Sequence, residues 1–88
     1  MAKKTFKIIE KLGIHARPAV HLVNKAGQYE AEMVLQYKEK SVNLKSIMGI
    51  MSLGVPSGAE VTIVAEGKDA KEALEALEEL MKSEGIGQ

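Results

Sequence analysis

The sequence predicts an α+β fold of the open-faced β-sandwich type, in which a four-stranded, mainly antiparallel sheet carries three helices on one face. Two observations lead to this prediction. Some segments alternate apolar and polar residues at period two, as half-buried strands do, and others repeat apolar residues at the helical period. The order along the chain is βαββαβα. Strands with one apolar face need helices on that face and leave the other face to water.

The chain begins with a strand and a helix. Residues 4–10 are predicted as the strand, because Phe6 and Ile8 fall on one face at period two. The helix begins at Ala16, and Gly27 can close it as a C-terminal cap. Its apolar stripe has the spacing i, i+3, i+4 and i+7: Ala19, Leu22, Val23 and Ala26.

The middle of the chain is predicted as a β-hairpin followed by a short helix. Residues 32–37 alternate, the polar sequence KEK makes a turn, and a second strand covers residues 41–44. The helix covers residues 46–53 with Ser46 as its N-cap, and GVPSG at 54–58 is a loop.

A fourth strand and a longer helix follow. The strand covers residues 60–67 and turns Val61, Ile63 and Ala65 to one side. Asp69 and Glu72 form a capping-box-like pair at the start of the helix, and Gly85 follows its end. The apolar stripe of this helix comprises Ala70, Ala73, Leu74, Leu77, Leu80 and Met81.

Composition bounds the class of protein. With 88 residues, 45% of them apolar, we expect a single domain over residues 1–88. The absence of cysteine excludes disulfides and thiolate metal sites.

No apolar run approaches the roughly 18 residues that a membrane span needs. The start, MAKKTFKII, lacks the apolar region of a secretory signal, so we expect a cytoplasmic protein without membrane insertion. The 12 basic and 12 acidic residues cancel and 3% of residues are aromatic, which argues against direct nucleic-acid binding.

The stretch LGIHARPAV, residues 12–20, places a histidine, an arginine and a proline at a helix start. His15 would be the N-cap, and the first helical amides would point outward with the positive end of the helix dipole, where anions bind. Pro18 needs no amide partner in the first turn, and the guanidinium of Arg17 matches phosphate oxygens. The stretch therefore indicates either a phosphate site with the imidazole as nucleophile or an ordinary exposed cap.

A metal site is not expected, because the spacing of His15 and His21 is not the i, i+4 that puts two ligands on one helical face. His21 lies away from the apolar stripe of its helix and is predicted to be a solvated surface residue.

The short helix is unusually apolar. Its apolar side chains span roughly 220° of arc, more than a sheet can cover. Ile50 and Leu53 point one way; Ile47, Met48 and Met51 point another. Either the second set remains accessible for partners, or the neighbouring loop and helices bury it. Ser46 is either a cap alone or a cap that can carry a phosphoryl group with little structural cost.

GIHARPA together with NLKSIMGIMSLG resembles the histidine-containing phosphocarrier (HPr) family of the bacterial phosphoenolpyruvate-dependent sugar phosphotransferase system, in its low-GC Gram-positive form. The resemblance covers essentially the whole chain and implies the same βαββαβα sandwich. It implies a stoichiometric phosphocarrier rather than a true enzyme, without cofactor or metal. Enzyme I would donate the phosphoryl group taken from phosphoenolpyruvate, and enzyme IIA domains of sugar transporters would accept it.

The resemblance also implies roles for individual residues. His15 is the phosphorylated residue, through Nδ1, and Arg17 stabilises the anion. Ser46 matches the serine phosphorylated by HPr kinase/phosphorylase, whose product is a corepressor for catabolite control protein A in carbon catabolite repression. We expect a monomer that docks partners through a surface comprising Ala16, Val20, Asn24, Ile47, Met48 and Met51.

The chain departs from the family pattern around the histidine. Leu12 stands where small polar residues are common, and Val20 and His21 lie where threonine and an aliphatic residue are usual. Asn24 replaces a frequent glutamine or lysine. Since Arg17, Val20 and Asn24 share a helix face, these changes bear on partner preference more than on phosphoryl acceptance.

The residues alone are also compatible with two other functions. One is a regulatory binding module that acts through Ser46 alone, against which the presence of His15 speaks. The other is a small hydrolase with His15 as base, for which no serine or cysteine nucleophile has an evident place. Glu10 is the one carboxylate close enough in sequence to orient the ring.

Overall fold

Four strands and three helices follow one another in the predicted order in the computed structural model, which describes residues 1–88. The predicted fold class and order βαββαβα are confirmed. The elements are β1 (Ala2–Lys7), α1 (Ala16–Ala26), β2 (Glu32–Tyr37), β3 (Lys40–Asn43), α2 (Ile47–Ser52), β4 (Glu60–Glu66) and α3 (Ala70–Ser83).

The four strands form one sheet in the order β1-β4-β2-β3, and every neighbouring pair is antiparallel. The predicted hairpin joins β2 to β3, with Tyr37 opposite Lys40. Lys38 in its turn has a φ of 56°, in the left-handed region that glycine or asparagine usually supplies. The hairpin therefore forms without the Asn-Gly signal, because pairing of the flanking strands stabilises the turn.

One face of the sheet is covered and the other is open. The period-two alternation puts large apolar side chains on the covered face, where they meet buried residues of the helices. The largest buried side chains include Phe6, Leu22, Met33, Leu35, Ile50, Ile63, Leu77 and Met81. On the open face the hydroxyls of Thr5 and Thr62 lie 2.9 Å apart on adjacent strands. The core thus lies between the sheet and the helices.

The first strand ends earlier than the sequence predicts, at Lys7 rather than residue 10. Ile8 forms a single bridge with Gly87, and the amides of Ile9 and Glu10 both donate to the carbonyl of Ile86, at 2.9 and 3.2 Å. Ile8 still bonds to Gly58 and Ala59 just before β4, and from this residue onward the chain pairs with the segment that follows α3. β3 also begins one residue earlier than predicted, at Lys40.

The predicted capping box at the start of α3 does not form. Asp69 is the N-cap, but its side chain makes no cap hydrogen bond. Its carboxylate instead accepts hydrogen bonds from the amides of Glu30 and Ala31, at 2.9 and 2.8 Å. The Glu30 amide is the main reason why the pKa of Asp69 lies below its ordinary value, and the Ala31 amide acts in the same direction. Asp69 thus ties the start of α3 to the chain entering β2.

The ends of the two longer helices differ. α3 ends as predicted before Gly85, whose φ is +69°. The amide of Ile86 donates to Met81 O at 2.8 Å and that of Gly85 to Lys82 O at 3.2 Å, which is a Schellman motif. Gly27 closes α1 as predicted, but its φ of −65° is right-handed, so this end does not require glycine.

Candidate functional site

His15 is the N-cap of α1, as predicted. Its backbone is extended, with φ −99° and ψ −163°, and its carbonyl accepts the amide of Ala19 at 3.0 Å. Its side chain makes no cap hydrogen bond. Pro18 has no amide, so the amides of Ala16 and Arg17 remain as first-turn donors without a helical partner. The ring therefore stands beside the positive end of a helix whose donors are free for an anion.

The loop before His15 is held closely against the segment after α2. The amide of Ile14 donates to Val55 O at 3.0 Å, and Ile14 is buried. Gly13 has a φ of +72°, and a Cβ there would lie 2.2 Å from Val55 O. Only glycine satisfies both the left-handed backbone and the close approach. The histidine is thus carried by a rigid turn.

The two nitrogens of the His15 ring have different surroundings. The side chain is 33% exposed, yet Nε2 is shielded from solvent and has no hydrogen-bond partner. The exposed part of the ring therefore belongs to its other atoms. Glu10 Oε1 lies 3.6 Å from Nε2 and 3.7 Å from Nη2 of Arg17, and the Glu10 side chain is only 15% exposed.

Glu10 is the site residue whose position the sequence does not determine. It precedes His15 by a turn that Gly13 closes, with the Gly13 amide donating to Glu10 O at 2.9 Å. The sequence feature that could have indicated its role is a carboxylate shortly before a glycine turn and a histidine. The distance between the two side chains depends on that turn, which periodicity does not describe.

Arg17 brings an exposed positive charge to the site. Its side chain is 66% exposed, and Glu10 is its only carboxylate neighbour within 4 Å. The guanidinium is therefore accessible to an anion at the helix end.

Ser46 caps α2, as predicted. Its hydroxyl accepts the amide of Gly49 at 3.0 Å, and its carbonyl accepts the amide of Ile50 at 3.0 Å. The hydroxyl therefore lies at the N-terminus of α2, beside the first exposed side chains of that helix.

The apolar side chains of α2 form a buried set and an exposed set, as their wide distribution around the helix predicts. Ile50 and Leu53 are buried, while Ile47, Met48 and Met51 are 38%, 84% and 45% exposed. The alternative in which the loop and flanking helices bury the second set is wrong. We call these three residues, Ile47, Met48 and Met51, the α2 patch.

The α1 residues expected at the partner surface are accessible to different degrees. Ala16 and Asn24 are exposed and Val20 is half-buried. α1 packs directly against α2, so its exposed residues and the α2 patch belong to neighbouring helices. Leu12 is 72% exposed in the loop before the histidine.

His21 is not the freely solvated residue that the sequence predicts. It is half-buried, and its Nδ1 lies 3.1 Å from Oε1 of Glu84, the C-cap of α3. Packing of α1 against α3 brings the two side chains together. No group of three or more potential ligands is arranged to hold a metal ion, and none of the helices has the length and apolar character to cross a membrane.

Comparison with known proteins gives one consistent result. Residues 2–83 match the family model described as the phosphotransferase-system (PTS) HPr component phosphorylation site. The histidine-containing phosphocarrier protein of Mycoplasma is 38% identical, with a TM-score of 0.96 over 99% of both chains. HPr from Thermoanaerobacter tengcongensis is 46% identical, with a TM-score of 0.90 over 94% of this chain and 93% of that chain.

A third similar structure is Crh, the catabolite repression containing protein of Bacillus subtilis, which forms a swapped, intertwined dimer. It is 41% identical, with a TM-score of 0.75 over 98% of this chain and 99% of that chain. The family match spans nearly the full chain, and the strand order and helices agree with the fold of the HPr structures. The chain therefore belongs to the HPr family of phosphocarrier proteins of the phosphotransferase system.

Proposed function

We propose that the protein accepts a phosphoryl group on Nδ1 of His15 from enzyme I, which takes it from phosphoenolpyruvate, and passes it to enzyme IIA domains of sugar transporters. The observation that carries the proposal is the asymmetric His15 ring at the N-terminus of α1. Nε2 is shielded there, and the exposed third of the side chain lies beside unpaired helix amides and Arg17.

The site can receive a phosphoryl group without rearranging the fold. A phosphoryl group on the outer nitrogen would lie close to the amides of Ala16 and Arg17 and to the Arg17 guanidinium. All of these donors favour a dianion. Because the side chains are at the surface rather than in a deep pocket, one partner can deliver the group and another can remove it.

Docking is proposed to use both helices around the histidine. The surface comprises Ala16, Val20 and Asn24 of α1 and the α2 patch. Flexible methionine side chains adapt to differently shaped partners, which suits a carrier that must meet enzyme I and enzyme IIA domains in turn. We propose that the protein does this as a monomer.

Ser46 is proposed as the regulatory site for HPr kinase/phosphorylase. A phosphoryl group on this hydroxyl would lie at the N-terminus of α2, where negative charge is electrostatically favoured. It would also place about two negative charges beside Ile47 and Met48. The change would therefore alter what binds the α2 patch, including catabolite control protein A, without unfolding the helix. Similarity to Crh favours this second role.

The direct test is phosphorus NMR after incubation with enzyme I and phosphoenolpyruvate. We expect one acid-labile phosphohistidine resonance, with the chemical shift of an Nδ1 adduct. His15→Ala should abolish it and leave the fold intact. His21→Ala is the matched control, because it removes the other histidine on the same helix, and it should retain the resonance. Phosphoryl acceptance by His15→Ala would refute the assignment.

A further inference from the structure

The Glu10 carboxylate faces the reacting side chain and has no role in the phosphocarrier scheme above. We propose that Glu10 is a positioning residue that holds the His15 imidazole in the tautomer with the proton on Nε2, leaving the Nδ1 lone pair free to attack phosphorus. This inference rests on the proposed function and adds a residue to it.

Nε2 of His15 faces a carboxylate in a shielded position. It is shielded from solvent and has no hydrogen-bond partner, and Glu10 is the only carboxylate within 4 Å of the ring nitrogens. A lone pair on Nε2 would face a carboxylate oxygen, so two acceptors would repel each other at a buried position. A proton on Nε2 turns the same pair into a donor and an acceptor. The carboxylate therefore favours the Nε2–H tautomer.

The distance of 3.6 Å between Glu10 Oε1 and His15 Nε2 exceeds a hydrogen bond. Contacts of this kind are commonly long in the free protein and shorten when a partner binds. A small rotation of the ring or of the carboxylate closes the gap, and neither motion requires the backbone to move.

The backbone of Glu10 is hydrogen-bonded on both sides. The Glu10 amide donates to Ile86 O at 3.2 Å, and its carbonyl accepts the amide of Gly13 at 2.9 Å. Ile86 is buried and is held by the Schellman motif of α3. The backbone that carries the carboxylate is therefore fixed by contacts with both flanking segments, which a positioning group needs.

Phosphoryl transfer to Nδ1 creates a positive charge on the ring. The Nδ1 lone pair forms the N–P bond, the donor atom leaves with the electron pair of its bond to phosphorus, and Nε2 keeps its proton. The ring then carries a positive charge, which the adjacent carboxylate stabilises. The same Glu10 oxygen lies 3.7 Å from Arg17, so it also restrains the guanidinium near the incoming anion.

Nitrogen-15 NMR of the histidine side chains tests the proposal in the free protein, at a pH where the ring is neutral. We expect the Nε2–H tautomer of His15 in the unmodified chain and a marked shift toward the Nδ1–H form in Glu10→Gln, whose amide can donate to Nε2. Glu10→Asp should restore much of the original tautomer. Glu84→Gln is the matched control, because it changes the carboxylate beside the other histidine and should leave His15 unaffected.

Rapid-quench transfer from phosphorylated enzyme I gives the second readout. Glu10→Gln should lower the maximal rate roughly ten- to a hundredfold, the factor that loss of a hydrogen bond to a charged group carries, with the half-saturating concentration little changed. Glu10→Asp should recover part of the loss. An unchanged His15 tautomer and an unchanged rate in Glu10→Gln would overturn the positioning role. If the unmodified chain accepts no phosphoryl group, the proposed function fails, while the tautomer measurement still decides the role of Glu10.

Discussion

The amide of Ile14 donates a hydrogen bond to the carbonyl oxygen of Val55 at 3.0 Å, and this bond joins the loop that carries His15 to the segment that follows α2. The proposed phosphoryl site and the end of the α2 helix are therefore directly connected through the backbone. Under the proposed function, a partner that binds the α2 patch meets a histidine that this contact helps to position.

Gly13→Ala tests this junction. The substitution forces a left-handed backbone on alanine and places its Cβ 2.2 Å from Val55 O. The free energy of unfolding, measured in urea, should fall by more than the roughly 1–2 kcal/mol that left-handed backbone alone costs. Gly58→Ala is the control, since its φ is +89° but nothing lies within 4 Å of the new methyl. Equal losses in the two variants would contradict the close contact.

Ser46→Ala should destabilise the protein by about 1 kcal/mol, the usual effect of losing an N-cap. Ser46→Asp keeps a capping oxygen and should remain near the original stability in urea unfolding. It should nevertheless slow transfer from enzyme I, because it adds negative charge beside the α2 patch. Ser52→Ala serves as the control for transfer, as it removes a hydroxyl that donates to Gly49 O at the other end of the same helix and adds no charge. Unchanged transfer kinetics in Ser46→Asp would show that negative charge at position 46 does not affect transfer to His15.

Two apolar residues of α2 should respond in opposite ways to truncation. Met48 is 84% exposed, so Met48→Ala should change stability by less than about 0.5 kcal/mol while raising the half-saturating concentration for enzyme I. Ile50 is fully buried, so Ile50→Ala should cost roughly 2–5 kcal/mol. Thermal unfolding and transfer assays on both variants distinguish docking from packing. Full transfer activity in Met48→Ala would argue against a docking role for its side chain.

Asp69 should make stability depend on pH in the acid range. The amide of Glu30, and then that of Ala31, lower the pKa of Asp69 in the folded state. Its stabilising contribution is therefore complete above the ordinary aspartate value of 3.8 and is lost as the pH falls through the lower folded-state pKa. Asp69→Asn should lower the melting temperature at neutral pH and flatten the acid limb of the stability profile. Glu75→Gln neutralises an exposed carboxylate of α3 and should leave that limb in place.

The features that the sequence predicts well are local. The Ser46 cap, the stripe of α1 and the alternation in β4 each depend on residues within a turn or a strand, so periodicity and capping rules suffice. The exposure of the α2 patch follows from the same geometry, because six residues of helix cannot hide apolar side chains on most of their circumference.

The features that the sequence does not predict depend on distant partners. The Asp69 side chain accepts from two amides that are distant in sequence instead of capping its own helix. β1 ends early because Ile9 and Glu10 bond to Ile86, beyond α3. The approach of Glu10 to His15 follows from that pairing and from the Gly13 turn. The spacing of residues in the sequence does not predict these contacts, because each depends on how the helices pack on the sheet.

The pairing of residues 8–10 with residues 86–88 also bears on when the site comes into being during folding. It joins segments separated by almost the whole chain, so its loop-closure entropy is large and we expect it to form later than the helices. Glu10 would then acquire its backbone support only when the two ends of the chain have paired. A partly folded molecule can contain α1 and the histidine without that support, so under the proposed function we expect it to accept a phosphoryl group more slowly than the complete fold does.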